Sequence, residues 1–68
     1  MNRATARKRG AELGARNAMR GGRIADAAKS VGLCPSRDAA TYPEFERAYD
    51  IAWQKAFFSN FSEAEKLA

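Results

Sequence analysis

The sequence predicts a small all-α protein in which two main helices form a hairpin, with a short connecting helix and a Cys-Pro loop. Two segments rich in helix-forming residues flank a middle stretch that contains Gly21-Gly22, Gly32 and Pro35. Small residues recur along the first segment and aromatic residues along the last, at spacings of three and four that are typical of a helix face. The alternation of apolar and polar residues that indicates a strand is absent from the sequence.

The first helix is predicted over residues 5 to 20, with Asn2 or Thr5 as its N-cap. Small residues on one side of it leave a shallow groove; they are Ala11, Gly14, Ala15, Ala18 and Gly22. Residues 23 to 30 are again compatible with a helix. Gly32 suits the left-handed residue beyond a helix C-terminus, and Pro35 prevents continuation, so residues 33 to 41 are predicted to form a loop.

The last helix is predicted over residues 43 to 59. Pro43 fits a first helical turn, and Glu44 and Glu46 place negative charge near the helix N-terminus, where it is favourable. An apolar stripe follows at spacings of three and four; its members are Phe45, Ala48, Tyr49, Ala52, Ala56 and Phe57.

Three aromatic residues at four-residue steps, Tyr49, Trp53 and Phe57, are expected to lie across the groove of the first helix. Core packing is the favoured interpretation of Tyr49 and Phe57, whereas the Trp53 indole, at a hairpin edge, is also suited to stacking on a base. A second apolar set lies off the main face and is a candidate for binding a protein partner or a second copy in a homodimer: Ile51, Phe58 and Phe61.

The 68 residues indicate a single small helical domain, residues 1 to 68, in which residues 1 to 9 are open to being a disordered basic arm. A single cysteine excludes an internal disulfide, and the absence of histidine removes the usual zinc ligand sets, so no metal is expected. No apolar run approaches the roughly 20 residues that span a bilayer. The sequence therefore predicts a soluble, cytoplasmic protein.

The two halves of the chain carry opposite charge. Residues 1 to 37 hold nine Lys/Arg and two carboxylates, a net charge of +7, whereas the remaining residues hold three Lys/Arg and six carboxylates, a net charge of −3. This asymmetry favours nucleic acid as the partner of the basic half, although a solvated helix face that keeps the protein soluble stays open. The candidate nucleic-acid-binding residues are Arg3, Arg7, Lys8, Arg9, Arg16, Arg20, Arg23, Lys29 and Arg37.

Catalytic residues and cofactors are not expected. The nearest approach to a phosphate-binding loop ends in Ala28-Lys29-Ser30, but the pattern needs glycine where Arg23 and Ala28 stand. Cys34 has no histidine to activate it and is interpreted as a small apolar anchor for its loop.

Three landmarks run along the chain in a fixed order: Gly14-x3-Ala18-x2-Gly21, then Cys34-Pro35, then Tyr49-x3-Trp53-x2-Ala56. In this order the chain resembles the ribosome modulation factor family over roughly residues 8 to 57. Ser36 stands where that family has an aromatic residue, and Tyr49 stands in place of its first tryptophan.

The resemblance implies a two-helix protein that binds ribosomal RNA near the message-entry and decoding region and promotes an inactive, dimerised ribosome under slow growth. The basic residues of the first half would carry that binding through phosphate contacts.

Two alternatives stay open. The acidic aromatic helix, with Glu44, Glu46 and Asp50, is suited to bind a host protein, as a phage-encoded inhibitor or adaptor does. Residues 23 to 32 also look like the first helix and turn of a DNA-binding helix-turn-helix, but Pro43 makes a long recognition helix after them unfavourable.

Overall fold

The computed structural model describes the backbone of residues 1 to 67 and the side chains of residues 1 to 60. Its elements are α1 (Arg3–Arg20), α2 (Ile24–Ser30) and α3 (Tyr42–Leu67). Residues 21 to 23 connect α1 to α2 without a regular turn, and Cys34 and Pro35 lie in the turn-rich segment between α2 and α3. The prediction of an all-α protein whose two main helices pack against each other, with a short helix and a Cys-Pro loop between them, is confirmed.

Both ends of α1 have a local cause. The Asn2 side chain accepts a hydrogen bond of 2.7 Å from the Thr5 amide, so Asn2 is the N-cap that the sequence offered alongside Thr5. At the other end Gly21 has φ 82°, a left-handed value that suits glycine, and the helix stops there. Residues 3 to 9, for which the sequence left open a disordered arm, lie in this helix.

Backbone contact between α1 and α3 runs through Ala6, Gly10 and Gly14, the buried residues of α1. A Cβ atom added to Gly10 would lie 3.1 Å from the Phe45 carbonyl carbon, and one added to Gly14 would lie 2.9 Å from the Tyr49 Cα. These distances leave no room for a side chain, because the atoms in the way belong to the backbone of α3.

The predicted small-residue face is therefore wrong in detail. It shares Gly14 with the observed one but omits Gly10, and its alanines at positions 11, 15 and 18 are only half-buried. Gly22 lies beyond the end of α1 and is exposed. The small residues of a helix indicate its contact face only approximately. The position of the partner helix determines which of them are buried.

The two long helices run in the same direction. Gly10 faces Phe45 and Gly14 faces Tyr49, so a step of four residues along α1 matches a step of four along α3. An α1 of 18 residues spans about 27 Å at 1.5 Å per residue. Residues 21 to 41, with α2 among them, must therefore carry the chain back along the length of α1 before α3 begins.

The core lies where this returning segment meets the helix pair. Phe45 is fully buried, Tyr49 is 4% exposed, and the remaining members are small or aliphatic: Ala6, Ala27, Ala28 and Leu33. Gly32, with φ 79°, ends the turn after α2 in the left-handed conformation that the sequence predicted and directs Leu33 inward. The segment between the long helices is thus part of the core and not a simple linker.

α3 is longer than predicted, with 26 residues, and it continues beyond residue 59 without a break. The prediction that Phe57 packs in the core is wrong, since its side chain is 42% exposed. Four residues of an α-helix turn through about 400°, so each four-residue step drifts about 40° around the helix. Tyr49 is consequently buried, Trp53 half-buried and Phe57 exposed. Over the described residues, none of the three helices combines the length and apolar character that a membrane crossing requires.

A hydrogen bond between Asn17 of α1 and Tyr49, in the second turn of α3, connects the two long helices. Asn17 Nδ2 donates to Tyr49 Oη over 2.8 Å in a partly buried position. We expect Tyr49→Phe to lower the free energy of unfolding by about 1 kcal/mol, because the amide of Asn17 loses its partner. Urea unfolding followed by circular dichroism measures this, with Tyr42→Phe, at a half-buried tyrosine, as the control. Equal stability of the Tyr49→Phe variant and the unmodified protein would show that the bond contributes nothing.

Candidate nucleic-acid interface

All nine basic residues predicted to bind nucleic acid are exposed. Six of them lie on α1, Arg23 is the N-cap of α2, Lys29 lies in the last turn of α2, and Arg37 lies in the loop before α3. The nine residues are thus distributed over three parts of the fold, and α1 holds two thirds of them. α1 is the element that concentrates positive charge.

A row of arginines lies to one side of the α1 face that contacts α3. Arg9, Arg16 and Arg20 are separated by seven and four residues and so point in similar directions. They span about 17 Å along the helix axis at 1.5 Å per residue. The backbone contacts at Gly10 and Gly14 fix the position of this row, because they lie within the same helix.

Three of the nine basic residues form ion pairs. Arg7 Nη1 lies 3.4 Å from Glu44 of α3, and Arg9 Nη1 lies 3.6 Å from Glu12. Arg37 Nη2 lies 3.0 Å from Asp38. Exposed pairs of this kind contribute at most about 1 kcal/mol, so a phosphate can compete for the same guanidinium groups.

The other six have no ion pair among the side chains of residues 1 to 60; they are Arg3, Lys8, Arg16, Arg20, Arg23 and Lys29. Arg16 and Arg20 combine this with a position one helical turn apart on the same row. Sequence reasoning identified all nine residues, but the separation into paired and unpaired ones depends on the approach of Glu44 to Arg7, which only the folded chain brings about.

Aromatic side chains lie close together in the middle third of α3. The Trp53 and Phe57 rings stack with centroids 5.0 Å apart and an interplanar angle of 8°. Phe58 meets Phe57 edge to face at 5.6 Å. We call these three residues the aromatic cluster. The sequence singled out Trp53 and Phe58 but assigned Phe57 to the core.

Of the three residues predicted to bind a protein partner, Ile51 and Phe58 are 62% and 60% exposed. This exposure agrees with their predicted position off the main apolar face of α3. The side chain of Phe61 lies outside the described residues. Ile51 and Phe58 are seven residues apart and share the outer side of α3.

The Cys-Pro loop is closed by Asp38. Its carboxylate accepts a hydrogen bond of 2.9 Å from the Cys34 amide and contacts the guanidinium of Arg37 at 3.0 Å. Arg37 also donates to the carbonyl oxygen of Gly32. The Cys34 sulfur lies 3.2 Å from the Ser36 hydroxyl, and this contact, followed by backbone amides of Arg37 and Ser36, lowers the pKa of the thiol. These bonds hold the loop in shape.

The same carboxylate gives the loop a pH dependence. The amide of Cys34, and then the side chain of Arg37, hold the pKa of Asp38 below its ordinary value of 3.8. A carboxylate with a lowered pKa stabilises the fold at pH values above its ordinary pKa, and this contribution is lost as the pH falls through the lowered value. We expect Asp38→Asn to destabilise the protein at neutral pH and to weaken the dependence of its stability on pH in the acid range. Urea unfolding at a series of pH values measures both effects, and an unchanged acid profile would contradict this role of Asp38.

The structure thus offers an exposed basic row on a rigid helix, with an aromatic cluster on the neighbouring helix. Guanidinium groups and exposed rings are suited to contacts with phosphates and with flat ring systems. A comparison of the chain with protein-family models, curated proteins and solved structures found no match.

Proposed function

We propose that this protein is a noncatalytic RNA-binding protein that acts on the ribosome and modulates translation. The observation that carries the proposal is the pair Arg16 and Arg20, exposed on one side of α1 and without an ion pair among the described side chains. Because α1 is fixed to α3, these guanidinium groups meet a phosphate backbone without the cost of ordering the helix. The planar guanidinium also suits bidentate contacts to phosphate.

We propose the ribosome as the target because the chain resembles the ribosome modulation factor family. Gly14, Cys34-Pro35 and Trp53 are among the landmarks that carry this resemblance. From it we extend the proposal to ribosomal RNA as the ligand and to an inactive, dimerised ribosome under slow growth as the outcome. The charge of the basic half is consistent with this ligand, since a polyanion is what a net charge of +7 attracts.

A second candidate function is the binding of a host protein by α3. It is favoured by the exposure of Ile51 and Phe58 on the outer side of that helix. The DNA-binding alternative has less support, because residues 33 to 41 form turns where a recognition helix would have to begin.

Competition between nucleic acids tests the proposal. A labelled structured RNA is bound to the protein at fixed salt, and unlabelled RNA and DNA duplex of equal length are added in separate titrations. We expect the RNA to compete more strongly, and the affinity to fall by orders of magnitude between low and moderate ionic strength if about six phosphates are contacted. Equal competition by the duplex would favour DNA as the ligand, and an affinity insensitive to salt would contradict the electrostatic mechanism.

A further inference from the structure

The aromatic cluster is an exposed set of rings in the middle third of α3, beside the last turns of α1. Phe57 and Phe58 are 42% and 60% exposed, although apolar side chains of this size usually find cover in a core. The stack of Trp53 on Phe57 and the edge-to-face contact with Phe58 hold the three rings in a fixed arrangement. A ligand that contacts them meets ordered ring surfaces.

The cluster lies at the same end of the helix pair as Arg16 and Arg20. Met19, the residue before Arg20 on α1, contacts Asn60 of α3, one turn beyond Phe57. Both helices run toward this end, so the last turns of α1 lie beside the turns of α3 that bear the rings.

α1 supplies positive charge beside the rings. Residues 13 to 20 of α1 contain no Asp or Glu and contribute Arg16 and Arg20, whereas Lys55 lies two residues from both Trp53 and Phe57 and so points to the other side of α3. The acidic residues of the first part of α3, Glu44, Glu46 and Asp50, all precede the cluster. Glu63 and Glu65 follow the cluster in the sequence, so the positive charge beside the rings comes from the two arginines of α1.

We propose that the aromatic cluster is a stacking platform for unpaired bases of RNA, whose phosphates contact Arg16 and Arg20. This inference rests on the proposed function and adds which part of an RNA is recognised: single-stranded loops or ends, where bases are free to leave the helical stack. The rings are suited to stack on the flat bases of a single-stranded RNA, and the neighbouring arginines are suited to contact its negatively charged backbone. A second copy of this chain matches less well, because a two-fold contact through the cluster would bring the arginines of both copies together.

The test compares oligoadenylate with an abasic ribose-phosphate oligomer of the same length. The two probes carry the same charge, so they differ only in the bases. We expect the oligoadenylate to bind about tenfold more tightly for each stacked base. We also expect it to quench the fluorescence of Trp53, the only tryptophan of the chain, while the abasic oligomer leaves the fluorescence unchanged.

Two variants test whether the rings cause the preference for oligoadenylate. The Phe57→Leu/Phe58→Leu double variant keeps apolar bulk and helix propensity but leaves Trp53 as the one ring of the cluster, so its preference for oligoadenylate should fall by about tenfold or more while it keeps the salt dependence of the unmodified protein. Ile51→Ala is the control, because Ile51 is as exposed as Phe58 but lies outside the cluster. Circular dichroism establishes that each variant is folded.

The outcomes separate this inference from the proposed function. If both oligomers bind with equal affinity and strong salt dependence, the platform is absent but the electrostatic RNA site stands. If neither binds, the proposed function fails and the platform with it. If the double variant dissociates a dimer in sedimentation experiments and leaves oligoadenylate binding unchanged, the cluster is a self-association surface and the inference is overturned.

Discussion

Replacing Gly10 and Gly14 together with leucine is expected to destabilise the protein by at least about 3 kcal/mol, which lowers the midpoint of thermal unfolding by roughly 12 to 24 °C. At both positions an added Cβ meets the backbone of α3 at or near 3 Å, and a backbone cannot turn aside as a flexible side chain does. Leucine is among the best helix formers, so a loss of stability would come from packing and not from helix propensity.

The matched control adds leucine to exposed positions of the same helix that have no ion pair among the described side chains, in the Ala4→Leu/Lys8→Leu variant. We expect its midpoint, measured by far-ultraviolet circular dichroism, to lie close to that of the unmodified protein. Should the Gly10→Leu/Gly14→Leu variant unfold at the same temperature as this control, the backbones of α1 and α3 would not be in contact.

Reversing the charge of Arg16 and Arg20 with glutamate is expected to weaken RNA binding by orders of magnitude. The double substitution removes two phosphate contacts and places two carboxylates where the phosphates would lie. Both side chains are exposed and neither has an ion pair among the described residues, so the fold should be unaffected. The slope of log affinity against log salt should also decrease by about two phosphate equivalents.

The Arg47→Glu/Lys55→Glu variant is the control for an effect of net charge alone. It changes the charge of the protein by the same amount, at exposed positions of α3. We expect this variant to lose much less affinity than Arg16→Glu/Arg20→Glu, because neither residue lies on α1 and Lys55 points to the side of α3 opposite Trp53 and Phe57. Equal losses for the two variants in a filter-binding or fluorescence titration would mean that binding depends on overall charge and not on the α1 row.

Local signals in the sequence were sufficient for the presence of the helices and for most of their ends, although α3 continues beyond the predicted residue 59. Asn2 as a cap, Gly32 in the left-handed conformation and the loop around Pro35 each follow from the backbone preference of one residue, and the structure contains all three. The exposure of the basic residues was likewise predictable, since charged side chains seldom leave water without a partner.

The contacts between the helices were harder to predict from the sequence. Gly10 was missed because a spacing of four describes Gly10 with Gly14 as well as Gly14 with Ala18, and only α3 decides between them. Phe57 was placed in the core because a stripe at four-residue steps was treated as straight, whereas it winds around the helix. The common direction of α1 and α3 depends on the path of residues 21 to 41, which no single residue in that segment determines.

Of the candidate site, the sequence identified the basic residues and the tryptophan but not their arrangement. The pairing of Arg7 with Glu44 joins residues far apart in the chain. The stack of Trp53 on Phe57 depends on Phe57 being left uncovered by α1. Both are consequences of packing, so they became visible only with the fold.

Sucrose-gradient sedimentation of a tagged copy in lysate, beside its Arg16→Glu/Arg20→Glu variant, tests the central claim most directly. We predict that the unmodified protein sediments with ribosomal particles at low salt and that the double variant stays at the top of the gradient. An unmodified protein that stays at the top would contradict the claim that this chain acts on the ribosome, and a variant that sediments with the particles as the unmodified protein does would remove the α1 row from the interface.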